Sequence, residues 1–257
     1  ANRLYKEVDT LRQRNPMPTE PIGRSRAILE LKEHLKRVAN FDTWVLIQGE
    51  AGTGKMSAAR YIHELSPRRT GPFIEAAASI IAGSRSSQEL FGFEQDNRVY
   101  YGLLEQANHG TLFIDEVGEL DLATQGRLLS ALESRKVVRI DGVEPIEIDV
   151  RVIAATRSRL DEAVKKGSFR EELYYQLNVL PIRIPSLRER PEDIPDLLAY
   201  YTEQCVQLEH LRYRHFSIAA QNLLRQYPWP GNIRELRNLV QRLLILGTQE
   251  EIGAQEL

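Results

Sequence analysis

Directly after the apolar run Trp44 to Gln48 the chain reads Gly49-Glu50-Ala51-Gly52-Thr53-Gly54-Lys55, and helix-favouring residues follow from Met56 to Leu65. Glycines at these spacings let successive backbone N–H groups turn toward one point, and a helix starting there adds its own unpaired N–H groups and the positive end of its dipole. A lysine in the last position reaches the outer oxygens of a polyphosphate. The G-x-x-x-x-G-K spacing between a strand and a helix therefore predicts a phosphate cradle. Met56 stands where such loops commonly carry the Ser or Thr that touches a cation, and Ser57 lies one step round the helix. Any metal must depend on a second acidic group.

That group is supplied by "GTLFIDE", in which a strand-favouring run delivers Asp115 and Glu116 to a strand end, at the crevice where open parallel sheets bind ligands. Asp115 is the expected holder of Mg2+, through water, and Glu116 is expected to orient an attacking water.

The elements that must carry these groups follow from periodicity. "AILELKEHLKRVA" from Ala27 repeats at helical spacing, and short apolar runs around residues 45–48, 73–76, 111–114, 149–156 and 179–184 alternate with helical segments such as "TQGRLLSALES". Strands separated by helices predict an α/β protein with a parallel sheet flanked by crossover helices. After "PSLRERPED" the strands are expected to stop, and Ile194 to Leu208, Ile218 to Gln226 and Ile233 to Leu246 predict three helices. The expected organisation is an amphipathic linker helix at residues 1–17, an α/β nucleotide-binding part at 18–186 and a helical lid at 187–257. A start without Met, inside a helical pattern, predicts a piece cut from something longer.

The chain has 257 residues, 42% of them hydrophobic and 27% charged, with a formal net charge of -2. Such a balance excludes a dedicated basic nucleic-acid surface, so any DNA contact is expected outside this segment or on a local patch. Cys205 is the single cysteine and is expected as a small buried residue on a helix. It excludes an intramolecular disulfide, and the lack of a membrane-length apolar run points to the cytoplasm without a membrane partner.

Residues 20 to 246 resemble the AAA+ domain of bacterial enhancer-binding proteins, the NtrC-like sigma-54 activators. The resemblance lies in "IGRSRAI", "VLIQGEAGTGK", "HELSPRRTGPFIE", "ELFG", "GTLFIDEVGEL", "FREELYYQLNVLPIRIPSLRERPEDIP" and "YPWPGNIRELRNLVQR". It implies an AAA+ P-loop sheet with a small C-terminal helical lid, and ATP or ADP held between subunits of a self-assembled ring, from dimer to hexamer. It also implies RNA polymerase as partner, and regulatory and helix-turn-helix DNA-binding domains outside this fragment. On the same ground Ile22, Gly23, Gly49, Glu50, Ala51, Gly52, Thr53, Gly54, Lys55, Met56 and Arg234 are expected to contact nucleotide. Asp115, Glu116 and, in trans, Arg170 are the expected catalytic residues.

Departures from the family pattern shape the functional expectation. The family's "GAFTGA" loop, which contacts sigma-54, is missing: "ELFG" is followed by the shorter "FEQDNRVYYGLLEQANH" before "GTLF". Tyr100 and Tyr101 in that segment are expected to lie partly buried against the sheet. Arg157 replaces a sensor asparagine, Gln176 replaces a second trans-acting arginine, and Ala77 replaces an asparagine that restrains the Walker B glutamate. Loss of an arginine finger alone costs on the order of a thousandfold in rate. The expectation is a regulator domain that binds nucleotide, hydrolyses it weakly or not at all, and controls transcription through nucleotide-dependent oligomerisation without sigma-54. The alternatives are an active ATPase that remodels a partner through another loop, and a domain responsive to cyclic di-GMP. The Arg-rich "PSLRERPED" and the N-terminal linker are the candidate places for that ligand, though solvated ion pairs are the plainer expectation for them.

Overall fold

The computed structural model describes residues 20–83, 85–96 and 98–257, and the predicted linker helix at 1–17 lies outside them. In chain order the strands are β1 (Val45–Gln48), β2 (Phe73–Ala76), β3 (Phe93–Gln95), β4 (Arg98–Tyr100), β5 (Thr111–Ile114), β6 (Lys136–Val138), β7 (Pro145–Glu147), β8 (Arg151–Thr156), β9 (Leu180–Arg183), β10 (His215–Phe216) and β11 (Glu251–Ile252). The principal helices are α1 (Arg26–Ala39), α2 (Lys55–Leu65), α3 (Leu122–Ser134), α4 (Glu171–Leu177), α5 (Ile194–Glu209), α6 (Ile218–Gln226) and α7 (Asn232–Leu246).

Two compact units result. One comprises Glu33–Glu50 and Ala58–Ile184; the other gathers the segment ending at Lys32, the short stretch Ala51–Ser57 and Pro185–Leu257. In the first, five strands form an all-parallel sheet in the order β2–β5–β8–β1–β9. Every residue of β5 and β8 is buried, which is why "TLFI" and "RVIAAT" are nearly continuous apolar runs instead of alternating ones. Leu46, Leu112, Ile114, Val152 and Ala154 share a core with Leu128 of α3 and with Leu173 and Leu177 of α4. Helix α3 starts where Asp121 accepts a hydrogen bond from the Thr124 N–H at 2.8 Å, satisfying one of the donors a helix start leaves open. At the other end of the sheet, fully buried Arg151 donates to the carbonyls of Val38 at 2.9 Å, Ala39 at 3.3 Å and Thr43 at 3.4 Å. It thereby neutralises the carbonyl end of α1.

The second unit is built mainly of helices. On α7 the buried positions are Asn232, Leu236, Val240, Leu243 and Leu244, a helical stripe facing Leu197 and Tyr201 of α5 and Trp229. Cys205 is buried in the same core, and burial pushes its thiol up. Contrary to the expectation that strands end before residue 187, β10 and β11 form a parallel pair here. Two residues a side are too short to leave a periodic signal. The pair is fastened by buried Arg214, which donates to the Leu243 carbonyl at 2.8 Å and to both Glu256 oxygens.

Candidate functional site

Strand β1 delivers the chain to the glycine loop. The Gly49 N–H donates to the Thr156 carbonyl at the end of β8, 3.1 Å away, continuing the ladder by one residue. Within the helical unit, the Gly52 carbonyl accepts from the N–H groups of Ile233 at 2.9 Å and Arg234 at 3.3 Å, and the Asn232 side-chain amide donates to the Ala51 carbonyl at 3.0 Å. Gly52 has φ +77, and a Cβ there would stand 2.2 Å from the Gly231 carbonyl oxygen, so only glycine fits. With those carbonyls turned to α7, the loop runs into α2, whose first residue is Lys55. Thr53 and Lys55 are buried, and Met56 is the second residue of the helix.

Ile22 and Gly23 lie on a second segment of the same unit. Asp193, fully buried, accepts from the N–H groups of Arg24 at 2.8 Å and Ser25 at 2.7 Å and from the Ser25 hydroxyl at 2.6 Å. Gly23 has φ +135, and the Asp193 carboxyl carbon lies 2.4 Å from where its Cβ would be. Arg190 donates to the Ile22 carbonyl at 3.1 Å and sits 3.5 Å from Asp193. Here the solvated ion pairs expected for "PSLRERPED" are corrected: Arg190 and Asp193 are 2% and 0% exposed. A charge can be buried there because the partner charge and several N–H groups share its desolvation. Arg190 Nε has no hydrogen-bond partner among the described residues, and burial lowers the guanidinium's pKa.

In the sheet unit, Asp115 and Glu116 follow β5. The Asp115 N–H donates to the Ala76 carbonyl at 3.0 Å, and Glu116 adopts a left-handed conformation, φ 55 and ψ 52. Arg157, one residue past β8, donates its backbone N–H to Glu116 Oε2 at 3.1 Å. Three neighbouring strand ends thus gather Gly49, Asp115, Glu116 and Arg157. Among the described residues there is no group of three or more His, Cys, Asp or Glu that would cage a metal by itself. One carboxylate at a strand end still suits Mg2+, which keeps several waters and takes one or two carboxylates beside substrate phosphates.

Arg170 and Gln176 are exposed. The Arg170 Nε–H donates to the Leu122 carbonyl at 2.8 Å and its backbone N–H to Gln125 Oε1 at 2.8 Å, so its stem is fixed on α3. Arg234 is exposed on α7 and lines a cavity of about 850 Å³ with Tyr227, Trp229, Asn238, Arg242 and Leu257.

Between "ELFG" and "GTLF" lies the antiparallel hairpin β3–β4, with Phe93 and Tyr100 stacked at 4.2 Å. Its base is tied to Ile140 by backbone hydrogen bonds of 3.0 Å from the Glu94 N–H and to the Gly92 carbonyl. Arg139 donates to both oxygens of Glu105 and to Glu94, each at 2.8 Å, and lies over the Tyr101 ring at 5.3 Å. These carboxylates, Glu105 foremost, raise the Arg139 pKa above its ordinary value. Tyr100 and Tyr101 are 43% and 66% exposed, which overturns their expected burial. The rings pack on Phe93 and Arg139 at the surface. Sequence reasoning missed Asn232, Asp193, Arg190 and Arg139; the signal for Asn232 was its place in "PWPGN", and the others had none without their distant partners.

Residues 21–183 match the sigma-54 interaction domain and residues 188–257 the AAA+ ATPase lid domain. The chain is 42% identical over 236 residues to the DNA-binding transcriptional regulator NtrC of Rhizobium meliloti (strain 1021), covering 90% of this chain and 49% of that protein. It is 42% identical over 246 residues to the nitrogen assimilation regulatory protein NtrX of Azorhizobium caulinodans, covering 95% of this chain and 54% of that one. The chain spans about half the length of these curated relatives. Among solved structures, NtrX from Brucella abortus in complex with ADP is similar at a TM-score of 0.90 and 36% identity, over 99% of this chain and 59% of that one. The complex of the same protein with ATP gives 0.89.

Proposed function

Since the chain belongs to the sigma-54 interaction family of AAA+ domains with its lid, we propose that it binds ATP and ADP and serves as the nucleotide switch of a bacterial transcription regulator. The observation that carries this reading is the glycine loop, its Ala51 and Gly52 carbonyls pinned to α7 by Asn232, Ile233 and Arg234 and its far end running into α2 at Lys55. The ADP and ATP complexes of the similar Brucella protein support it. In this reading Gly49 to Met56 cradle the phosphates, Ile22 and Gly23 contact the nucleotide, and Arg234 senses nucleotide from its own subunit. Asp115 would hold Mg2+, which would offset the charge that develops on the phosphate. Glu116 orients water, and Arg170 reaches a neighbouring subunit's phosphate in trans.

Hydrolysis is slow in this reading, because Gln176, Arg157 and Ala77 replace the groups that serve it in the family. Assembly of copies, controlled by the nucleotide bound, is then the output. The β3–β4 hairpin stands in place of the sigma-54 loop, so the regulator addresses RNA polymerase without sigma-54 and reaches DNA through a domain outside this chain. The exposed Val99, Tyr100 and Tyr101 favour one other reading, a working ATPase that pushes on a partner with this hairpin.

Titration with ATP and ADP should show saturable binding that Lys55→Ala abolishes; undiminished binding by that variant sinks the proposal. Mass in solution should rise with an ATP analogue, with cyclic di-GMP as a parallel probe. Rapid phosphate release that Glu116→Gln abolishes would select the motor reading.

A further inference from the structure

Glu116 has a neighbour that its place at a strand end does not require. Besides the 3.1 Å bond from the Arg157 backbone N–H, Arg157 Nε stands 3.9 Å from Glu116 Oε2, and its Nη2 stands 3.8 Å from Glu119 Oε1. The Glu116 side chain is 14% exposed and that of Arg157 60%. One residue therefore offers the carboxylate a fixed donor and a loosely held cation, and Glu119 competes for the cation.

We propose that Arg157 is a positioning residue: it holds Glu116 turned toward the end of β8, and release from that hold limits hydrolysis. The inference rests on the reading of Glu116 as the carboxylate that orients water. An oxygen already accepting from an N–H and facing a guanidinium is a poorer acceptor for a water proton. The reaction itself is ordinary: the water oxygen bonds to the terminal phosphorus, the bond to the bridging oxygen breaks with its electron pair left on ADP, and the water's proton ends on the released phosphate. Arg157 sets how often Glu116 is available to that water.

Two arms test the proposal. Without nucleotide, exchange of the residue 157 amide hydrogen, followed by NMR, should quicken roughly fivefold in Glu116→Ala, the loss of one charge-assisted hydrogen bond. An unchanged rate overturns the contact. With Mg-ATP, Arg157→Ala should raise kcat about threefold at constant KM, the effect of removing a half-exposed ion pair, while Glu119→Gln lowers kcat by freeing the cation for Glu116. A kcat that stays level or falls in Arg157→Ala overturns the role. If the unaltered chain binds no ATP, the nucleotide-switch reading fails, and the exchange arm still decides whether Arg157 holds Glu116.

Discussion

Asn232 is fully buried with φ 51, its amide nitrogen on the Ala51 carbonyl at 3.0 Å and its amide oxygen on the Leu187 N–H at 2.8 Å. Asparagine tolerates that backbone region better than most residues, and alanine supplies neither bond. Asn232→Ala should cost about 2–4 kcal/mol in urea unfolding and weaken ATP binding in parallel. His63 makes a different prediction. It is buried beside Phe73 with Nδ1 2.9 Å from the Thr111 hydroxyl, and burial lowers its pKa below 6.5. The unfolded chain then binds the proton more readily, so this contribution is complete above pH 6.5 and is lost as pH falls toward the folded value. The carboxylates held low, such as Asp149 beside Arg68, act only below their ordinary 3.8. Thermal unfolding between pH 7.5 and 5.5 should therefore show a fall in Tm that a His63→Gln chain lacks. The places of the glycine loop before α2 and of the Asp115–Glu116 pair after β5 were legible because their signal lies in local spacing. Asp193 and Asn232 were not, since their partners stand 168 and 181 residues away.

At the scale of elements, the five sheet strands could be read from their apolar runs, because burial on both faces leaves an unbroken signal. The β3–β4 and β6–β7 hairpins could not: each strand has three residues, few of them buried, and a run of that length reads as loop. What makes β3–β4 an element is Arg139, whose bonds to Glu94 and Glu105 and contact with Tyr101 anchor it to the segment after β6. Arg139→Ala should leave the parallel sheet intact and speed amide exchange across residues 93–101 several-fold, with a stability loss of about 1–3 kcal/mol from the unpaired carboxylates. Equal protection of the hairpin in both chains would show that backbone pairing alone holds it.

For the whole molecule, sequence order and compact units do not coincide. The stretch Ala51–Ser57 is grouped with Pro185–Leu257, although sheet residues precede and follow it in the chain. A chain ending at residue 184 would keep every strand of the sheet and every glycine of the loop, yet lose Asn232, Ile233 and Arg234. Such a truncation should bind ATP at least tenfold more weakly than the full chain, the cost of losing an ordering hydrogen bond or two. Calorimetric titration of both measures it, and equal affinity would mean the glycines alone suffice. The alternation of strand and helix foretold the sheet, but no local pattern could foretell that one loop would be shared out to the far end of the chain.

The bond between Ala51 and Asn232 also has a consequence in time. A ribosome adds about 5–20 residues each second, so the cradle is made roughly ten to forty seconds before its anchor, 181 residues behind. Over that interval ATP is a weak template for the nascent polypeptide, and arrested chains that stop short of Asn232 should retain at least tenfold less of it on a filter than the finished chain. Maturation of this protein is thus timed by its last helix.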